Sequence, residues 1–316
     1  MQSGFSKKIL FAGMPDMGLV CLAKLMQSGI RPVALIPPPK DDPTYSLFMQ
    51  WAEFYGLPVI GFEKNLKDPV FLEKIAELDA DIGITASYSK KFPPELLNSV
   101  KDGFLNVHPS LLPDYRGGNP YSNVIINNEK QTGVTIHFMD ENFDTGDIVF
   151  QKKLKINDYE TMGTLFNRSN ELAAQMITEV LNAYNSGKTL PRKKQPEGVF
   201  KKAPSLKNFT NDVLIDWTKP APEIERFIRA LNPFINAATY YKGHYVKIFT
   251  ATPFNKTSKL APGEIFTEKN ELFAACGKGI LKIDTMSLGS MFTGGSRDFL
   301  RLFKIKRGDK FDYGQT

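Results

Sequence analysis

Five short apolar runs, each separated from the next by a turn or by a stretch with helical spacing, constrain the first half of this chain more than any other feature. Residues 8–12 form the first run and stop at Gly13-Met14-Pro15-Asp16, after which residues 17–29 place Leu19, Leu22, Leu25 and Met26 on one helix face. Residues 32–36 form the second run, which Pro37-Pro38-Pro39 ends. Helical patterns over 45–56, 69–78 and 94–100 then precede runs at 58–60, 82–85 and 104–107. A chain that alternates in this way covers both faces of its sheet with helices. The expectation is an α/β fold with a doubly wound, mostly parallel sheet and functional loops at the carboxyl ends of its strands. Residues 133–139 and 147–154 read as two more strands around a loop at 140–146, with a helix over 161–185 packed behind.

The pattern changes at residue 186. From there to 207 the chain is rich in Gly, Pro and Lys with few apolar residues, as in a linker. A helix over 222–231 follows, then strand-like runs at 237–241, 245–249, 263–266, 272–275 and 279–283. Short strands at this spacing, divided by Gly and Pro, predict a small β-barrel of OB type. The expected organisation is a catalytic domain over 1–187, a linker over 188–207 and a basic OB-like domain over 208–316; a chain of 316 residues is long enough for two cores. Residues 1–187 hold 17 Lys and Arg against 22 Asp and Glu, a net of −5, whereas residues 188–316 hold 23 against 12, a net of +11. Such asymmetry fits contact of the second half with a polyanion such as nucleic acid, and equally a solvated basic surface.

Cys21 and Cys276 lie far apart and lack metal-ligand spacing, so no disulfide framework and no metal is expected, and the compartment reads as reducing. Lys7 and Lys8 before Ile9-Leu10-Phe11-Ala12 resemble the start of a signal peptide, but Gly13, Pro15 and Asp16 break the run. No apolar stretch approaches the roughly eighteen residues that span a bilayer. The expectation is a soluble, cytoplasmic protein without membrane attachment, and no protein partner is predicted.

The chemistry concentrates in Asn106-Val107-His108-Pro109-Ser110-Leu111-Leu112-Pro113, in Tyr115-Arg116-Gly117-Gly118, and in Asp144-Thr145-Gly146-Asp147. Prolyl and glycyl loops aim side chains by fixed backbone, not by the needs of a core. Asn106 and His108 stand two residues apart on an extended strand end and therefore share a face. Moving an acyl group onto an amine develops negative charge on the acyl oxygen, and an amide N–H beside an imidazole meets that charge. The amine must also lose a proton and the leaving nitrogen gain one, traffic that suits a histidine oriented by a carboxylate. Asp144 is the carboxylate selected, because Thr145-Gly146 makes its loop tight. His137 inside a strand and His244 in a hairpin turn read as structural, and Asp140 with Glu141 as a solvated turn.

The run N-V-H-P-S-L-L-P-D-Y-R-G, with T-G-V-T-I-H-F-M-D-E-N-F-D-T-G-D-I after it, resembles the signature of the folate-dependent formyltransferases that use 10-formyltetrahydrofolate. F-A-G-M-P-D near the start, and I-D-W-T with I-R-A-L-N-P in the second half, extend the resemblance over most of the chain. The resemblance implies that Asn106, His108 and Asp144 are catalytic. It puts the folate beside Ser110, Leu111, Leu112 and Pro113, with Thr85, Ala86, Ser87, Tyr88, Asp140 and Thr145 around the pterin. The acceptor is expected at Met14, Tyr115, Arg116 and Gly117; Arg116 either orients a carboxyl, ester or phosphate there or is a plain surface arginine. In architecture the chain is most similar to the methionyl-tRNA formyltransferases, which implies a charged initiator tRNA as partner. Those enzymes usually carry a basic loop after the second strand, whereas Pro37-Pro38-Pro39-Lys40-Asp41-Asp42-Pro43-Thr44 is short and lacks net positive charge. In that loop the chain is more similar to the enzymes that formylate nucleotide-linked amino sugars. An RNA-binding protein with a degenerate catalytic domain is the remaining alternative.

Overall fold

Strand β1, Ile9–Gly13, is buried along its whole length, which requires cover on both faces. Helix α1, Met17–Gln27, supplies part of it, and its first turn is capped by Asp16, whose carboxylate accepts the Gly18 N–H. Strand β2, Ala34–Ile36, is followed by α2, Tyr45–Tyr55, and α3, Pro69–Glu77. Strand β3, Ile82–Ala86, the short α4, Pro94–Leu97, and β4, Phe104–His108, come next. Helix α5, Pro120–Ile126, strands β5, Gln131–Phe138, and β6, Ile148–Lys155, and helix α6, Met162–Asn185, complete the first half. The computed structural model describes residues 5–207 and 211–313, so residues 208–210 and 314–316 of the expected second domain lie outside the described residues.

The six strands lie in the order β2-β1-β3-β4-β5-β6, parallel as far as β4 and antiparallel beyond it. The chain leaves β1 to one side for β2 and returns to the other for β3, so a crevice opens at the carboxyl ends of β1 and β3. Two expectations are corrected. Residues 58–60 do not form a strand: Pro58 has no N–H, Gly61 ends the run, and pairing stops at two hydrogen bonds around Leu35. The helix expected over 94–100 ends at Leu97, where the Ser99 hydroxyl donates to the Leu96 carbonyl at 2.7 Å.

By its internal packing the chain forms two units. One is drawn from Met1–Pro120, Gln131–Lys155 and Asn167–Pro204, the other from Tyr121–Lys130, Ile156–Phe166 and Ser205–Thr316. The second contains α7, Ala221–Leu231, whose Ile224, Ile228 and Leu231 form a buried stripe. Strands β7, Ala237–Tyr241, and β8, His244–Phe254, are joined at Lys242 and Gly243, both with positive φ, as a two-residue hairpin requires. Then come β9, Ile265–Glu268, β10, Glu271–Ala275, β11, Ile280–Leu288, β12, Phe292–Gly295, α8, Ser296–Leu302, and β13, Phe311–Asp312. All pairings are antiparallel, in the order β13-β7-β8-β11-β10-β9, with β12 on β11. The Ile265 N–H donates to Asp309 and the Phe311 N–H to Gly263, at 2.9 and 2.8 Å, which joins the β9 edge to the β13 edge and closes the barrel.

Strands β8 and β11 run past the expected 245–249 and 279–283, and Thr250, Thr252 and Thr285 are exposed although in phase with the inward Val246, Ile248 and Ile283, so the alternation reverses there. A register shift at Asp284 bends the pair, as a β-bulge does. Inside the barrel Trp217 stacks on Phe311, ring centroids 5.3 Å apart, and its indole N–H donates to Thr239 Oγ1 at 3.1 Å. Among the described residues no helix is long and apolar enough to cross a membrane. Removing a buried aromatic leaves a cavity. Trp217→Ala is therefore expected to destabilise the second unit by about 3–5 kcal/mol in urea unfolding. A midpoint equal to that of the parent would contradict this packing.

Candidate active site

The strand register builds the site before any loop contributes. Asn106 on β4 lies opposite Thr85 on β3 and His137 on β5. Thr85 Oγ1 donates to Asn106 Oδ1 at 2.8 Å, and the carboxylate of Asp144, which can only accept, fixes Nδ2 on the other side. Asn106 Nδ2 is 3.2 Å from His137 Nε2 and 3.3 Å from Asp144 Oδ1. His137 Nδ1 lies 2.7 Å from the Phe138 carbonyl, which can only accept. Nδ1 donates there, and Nε2 faces both the Asn106 amide and Asp144 Oδ1, 3.5 Å away.

His108 ends β4 and is buried, only 5% exposed. Its Nε2 lies 2.9 Å from the Tyr115 carbonyl and its Nδ1 3.4 Å from Asp144 Oδ1, so both ring nitrogens face acceptors. Burial holds the imidazole below its ordinary range; Asp144 and the Tyr115 carbonyl pull upward, while His137 and Arg116 push down with the burial. For Asp144, burial favours the neutral acid, but His108, His137 and the Gly117 N–H outweigh it and lower the carboxyl to about 2. At neutral pH the carboxylate is ionised and the imidazole is neutral. A proton arriving on the ring finds an acceptor already in place at either nitrogen.

The loop that delivers Asp144 is held from several sides. Asp144 itself has φ +60, a left-handed conformation that a non-glycine residue adopts only when its surroundings over-determine it. The Gly117 N–H donates to Asp144 Oδ2 at 3.0 Å. A Cβ at Gly146 would lie 1.9 Å from the Phe138 carbonyl oxygen, so only glycine permits that approach. Asp140 accepts the Thr145 hydroxyl, at 2.6 Å to Oδ1, and the Asn142 N–H, which closes the base of the loop.

The other residues expected at the site occupy the same sheet edge. Thr85 and Ala86 end β3, and Ser87 follows with φ +55. Tyr88 donates its hydroxyl to the Pro37 carbonyl at 2.7 Å. Met14 follows β1, its N–H directed at the Ala86 carbonyl. Past β4, Ser110 donates to the Asp114 carbonyl, while Thr135 and Gln151 fix the backbone of Ser110 and Leu112. Leu111 and Pro113 remain half-exposed beside them.

Three residues at the site had no place in the sequence expectations. His137, taken as structural, touches both Asn106 and Asp144. Asp16 bonds Ser87 and Gly18, and burial raises its carboxyl to about 6. Gln195 lies in the stretch taken as a linker, and that stretch is packed: Ile148 and Lys193 exchange two backbone hydrogen bonds, the Tyr115 N–H donates to Lys201, and the Ala203 N–H to Arg116. Gln195 Oε1 accepts from Arg116 Nη2 at 2.6 Å and Nε at 3.2 Å, and the Arg116 guanidinium lies over the Phe200 ring. No compositional signal distinguishes Gln195 from its lysine and proline neighbours.

Comparison with known proteins gives a consistent result. A family model described as formyl transferase matches residues 41–181, and one described as formyl transferase, C-terminal domain, matches residues 208–303. The methionyl-tRNA formyltransferase of Caldanaerobacter subterraneus is 31% identical over 307 residues, covering 95% of this chain and 98% of its own. That of Pelotomaculum thermopropionicum is 33% identical over 303 residues, covering 93% and 95%. Among solved structures, the fold matches the N-formyltransferase of Helicobacter canadensis in complex with folinic acid and dTDP-3-aminofucose, at TM-score 0.65, 22% identity, and 88% and 98% coverage. HypX of Aquifex aeolicus in complex with tetrahydrofolic acid matches at TM-score 0.63 and 18% identity, over 97% of this chain and 51% of that one.

The shifts of His108 and Asp144 make the unfolded chain the better proton binder, so each contribution is lost as pH falls, whereas the raised Asp16 carboxyl adds stability as pH falls from about 6 to 3.8. His108 contributes fully above 6.5 and loses its contribution as pH falls below that value. Asp144 contributes fully above 3.8 and loses about 2 kcal/mol as pH falls toward 2. In urea unfolding across this range the loss of stability below pH 3.8 should be smaller in Asp144→Asn than in the parent by about 2 kcal/mol. A loss of equal size in the variant would assign it to other carboxylates.

Proposed function

Because the chain belongs to the formyl transferase family, we propose that it transfers a formyl group from 10-formyltetrahydrofolate to the amino group of charged methionyl initiator tRNA in the cytoplasm. The coverage carries the choice of acceptor: relatives named for it match more than nine-tenths of both chains, including the second half.

The folate supplies the formyl group. Thr85, Ala86, Ser87 and Tyr88 at the end of β3, Ser110, Leu111, Leu112 and Pro113 after β4, and Asp140 and Thr145 would hold it. The half-exposed Leu111 and Pro113, on a turn fixed by Thr135 and Gln151, suit a flat ring with polar edges. Met14, Tyr115, Arg116 and Gly117 face the acceptor. Asn106 and His108 donate to the oxygen as it gains charge, and Asp144 keeps the His108 ring oriented. As the new C–N bond forms, the imidazole takes up the amine proton, the ionised Asp144 stabilises the cation that results, and the proton passes to the folate nitrogen as that nitrogen's bond to the formyl carbon breaks. Lysines and arginines of the second half, net +11 from residue 188 onward, neutralise phosphates, so tRNA binding weakens as salt rises.

His108→Ala and Asp144→Ala should each lower turnover by about two or more orders of magnitude while the far-UV spectrum stays that of the parent. Rates near those of the parent in either variant would remove these residues from the mechanism. The acceptor is decided by offering charged methionyl-tRNA and a dTDP- or UDP-linked amino sugar in parallel. Transfer to the sugar alone would replace the acceptor, and failure to bind any folate would leave an RNA-binding protein.

A further inference from the structure

Gln195 is half-buried where the other residues from 191 to 199 are exposed, and every polar atom of its side chain is engaged. Its Nε2 donates to the Asp144 carbonyl at 2.9 Å and to the Gly146 carbonyl at 2.8 Å. Its Oε1 takes two N–H groups from Arg116, which fixes which end of the amide faces the loop. Those two carbonyls flank the part of the loop that carries the left-handed Asp144 and the glycine pressed on Phe138. We propose that Gln195 is a positioning residue: through its amide, oriented by Arg116, it holds the backbone of the Asp144 loop so that the carboxylate stays against His108. This rests on the formyl-transfer reading given above. It gives the stretch after α6 a function in the site, and it gives Arg116 one as the group that orients the clamp.

Two variants separate the clamp from mere packing. Gln195→Glu keeps a partner for Arg116 but has no N–H for the carbonyls. Gln195→Met keeps length and volume and has neither donor nor charge. Both should lower kcat for charged methionyl-tRNA roughly ten- to a hundredfold, as expected for a loosened catalytic group, with KM for the tRNA little changed. The His108 ring, followed by NMR, should titrate at lower pH in Gln195→Met than in the parent. Asp144 and the Tyr115 carbonyl are the groups raising it, and His137 and Arg116 already oppose them. Parent-like kcat in Gln195→Glu would overturn the clamp, as would an unmoved His108 titration in a folded Gln195→Met. The titration needs no acceptor, so a parent protein that fails to formylate tRNA would overturn the acceptor reading and still leave the clamp tested.

Discussion

The carboxylate of Asp144 is the point on which the site's other interactions converge. It is buried, ionised and carried by a residue in a left-handed conformation, three conditions that each cost free energy. They are offset because four groups turn toward it: His108, His137, the Asn106 amide and the Gly117 N–H. Remove the charge and Asn106 loses a partner, His108 loses its strongest upward pull, and the turn at Gly117 loses its anchor. Buried charge of this kind persists where its hydrogen bonds are complete.

Precision comes from dividing the labour between sheet and loops. Asn106, His108, Thr85 and His137 stand on adjacent strands, about 4.8 Å apart in the hydrogen-bonding direction, and their spacing is set by backbone pairing. Asp144, Tyr115 and Gly117 come from loops, which lack such pairing and need other restraints. The segment from Lys193 to Ala203 supplies them by pairing with Ile148, Tyr115 and Arg116. A stretch poor in apolar residues can do this because backbone hydrogen bonds and guanidinium–ring contacts, as at Arg192 over Phe138 and Arg116 over Phe200, need no apolar core.

What the sequence made legible follows the same division. The parallel sheet and the strand end at His108 were readable because apolar runs and Pro or Gly stops mark buried strands without reference to partners. The motif residues stood out because polar groups in rigid loops have no packing reason to be there. His137 did not, since Val134, Ile136 and Phe138 surround it with an apolar pattern, and its meeting with Asn106 depends on antiparallel register. Barrel closure was equally hidden: the joining hydrogen bonds involve Asp309 and Phe311, far along the chain from Gly263 and Ile265. Long-range pairing of this kind leaves no local trace.

In this structure the donors proposed for a developing oxyanion are already paired. His108 Nε2 lies against the Tyr115 carbonyl, and Asn106 Nδ2 against His137 and Asp144. Such pairing favours selectivity. A neutral substrate oxygen gains little by displacing the Tyr115 carbonyl from the imidazole N–H, because one neutral acceptor replaces another. An oxygen carrying charge is a stronger acceptor, by roughly a factor of two in a charge-assisted bond. The exchange therefore becomes favourable as the amine adds and the charge appears. Interactions that strengthen only then lower the barrier without tightening ground-state binding.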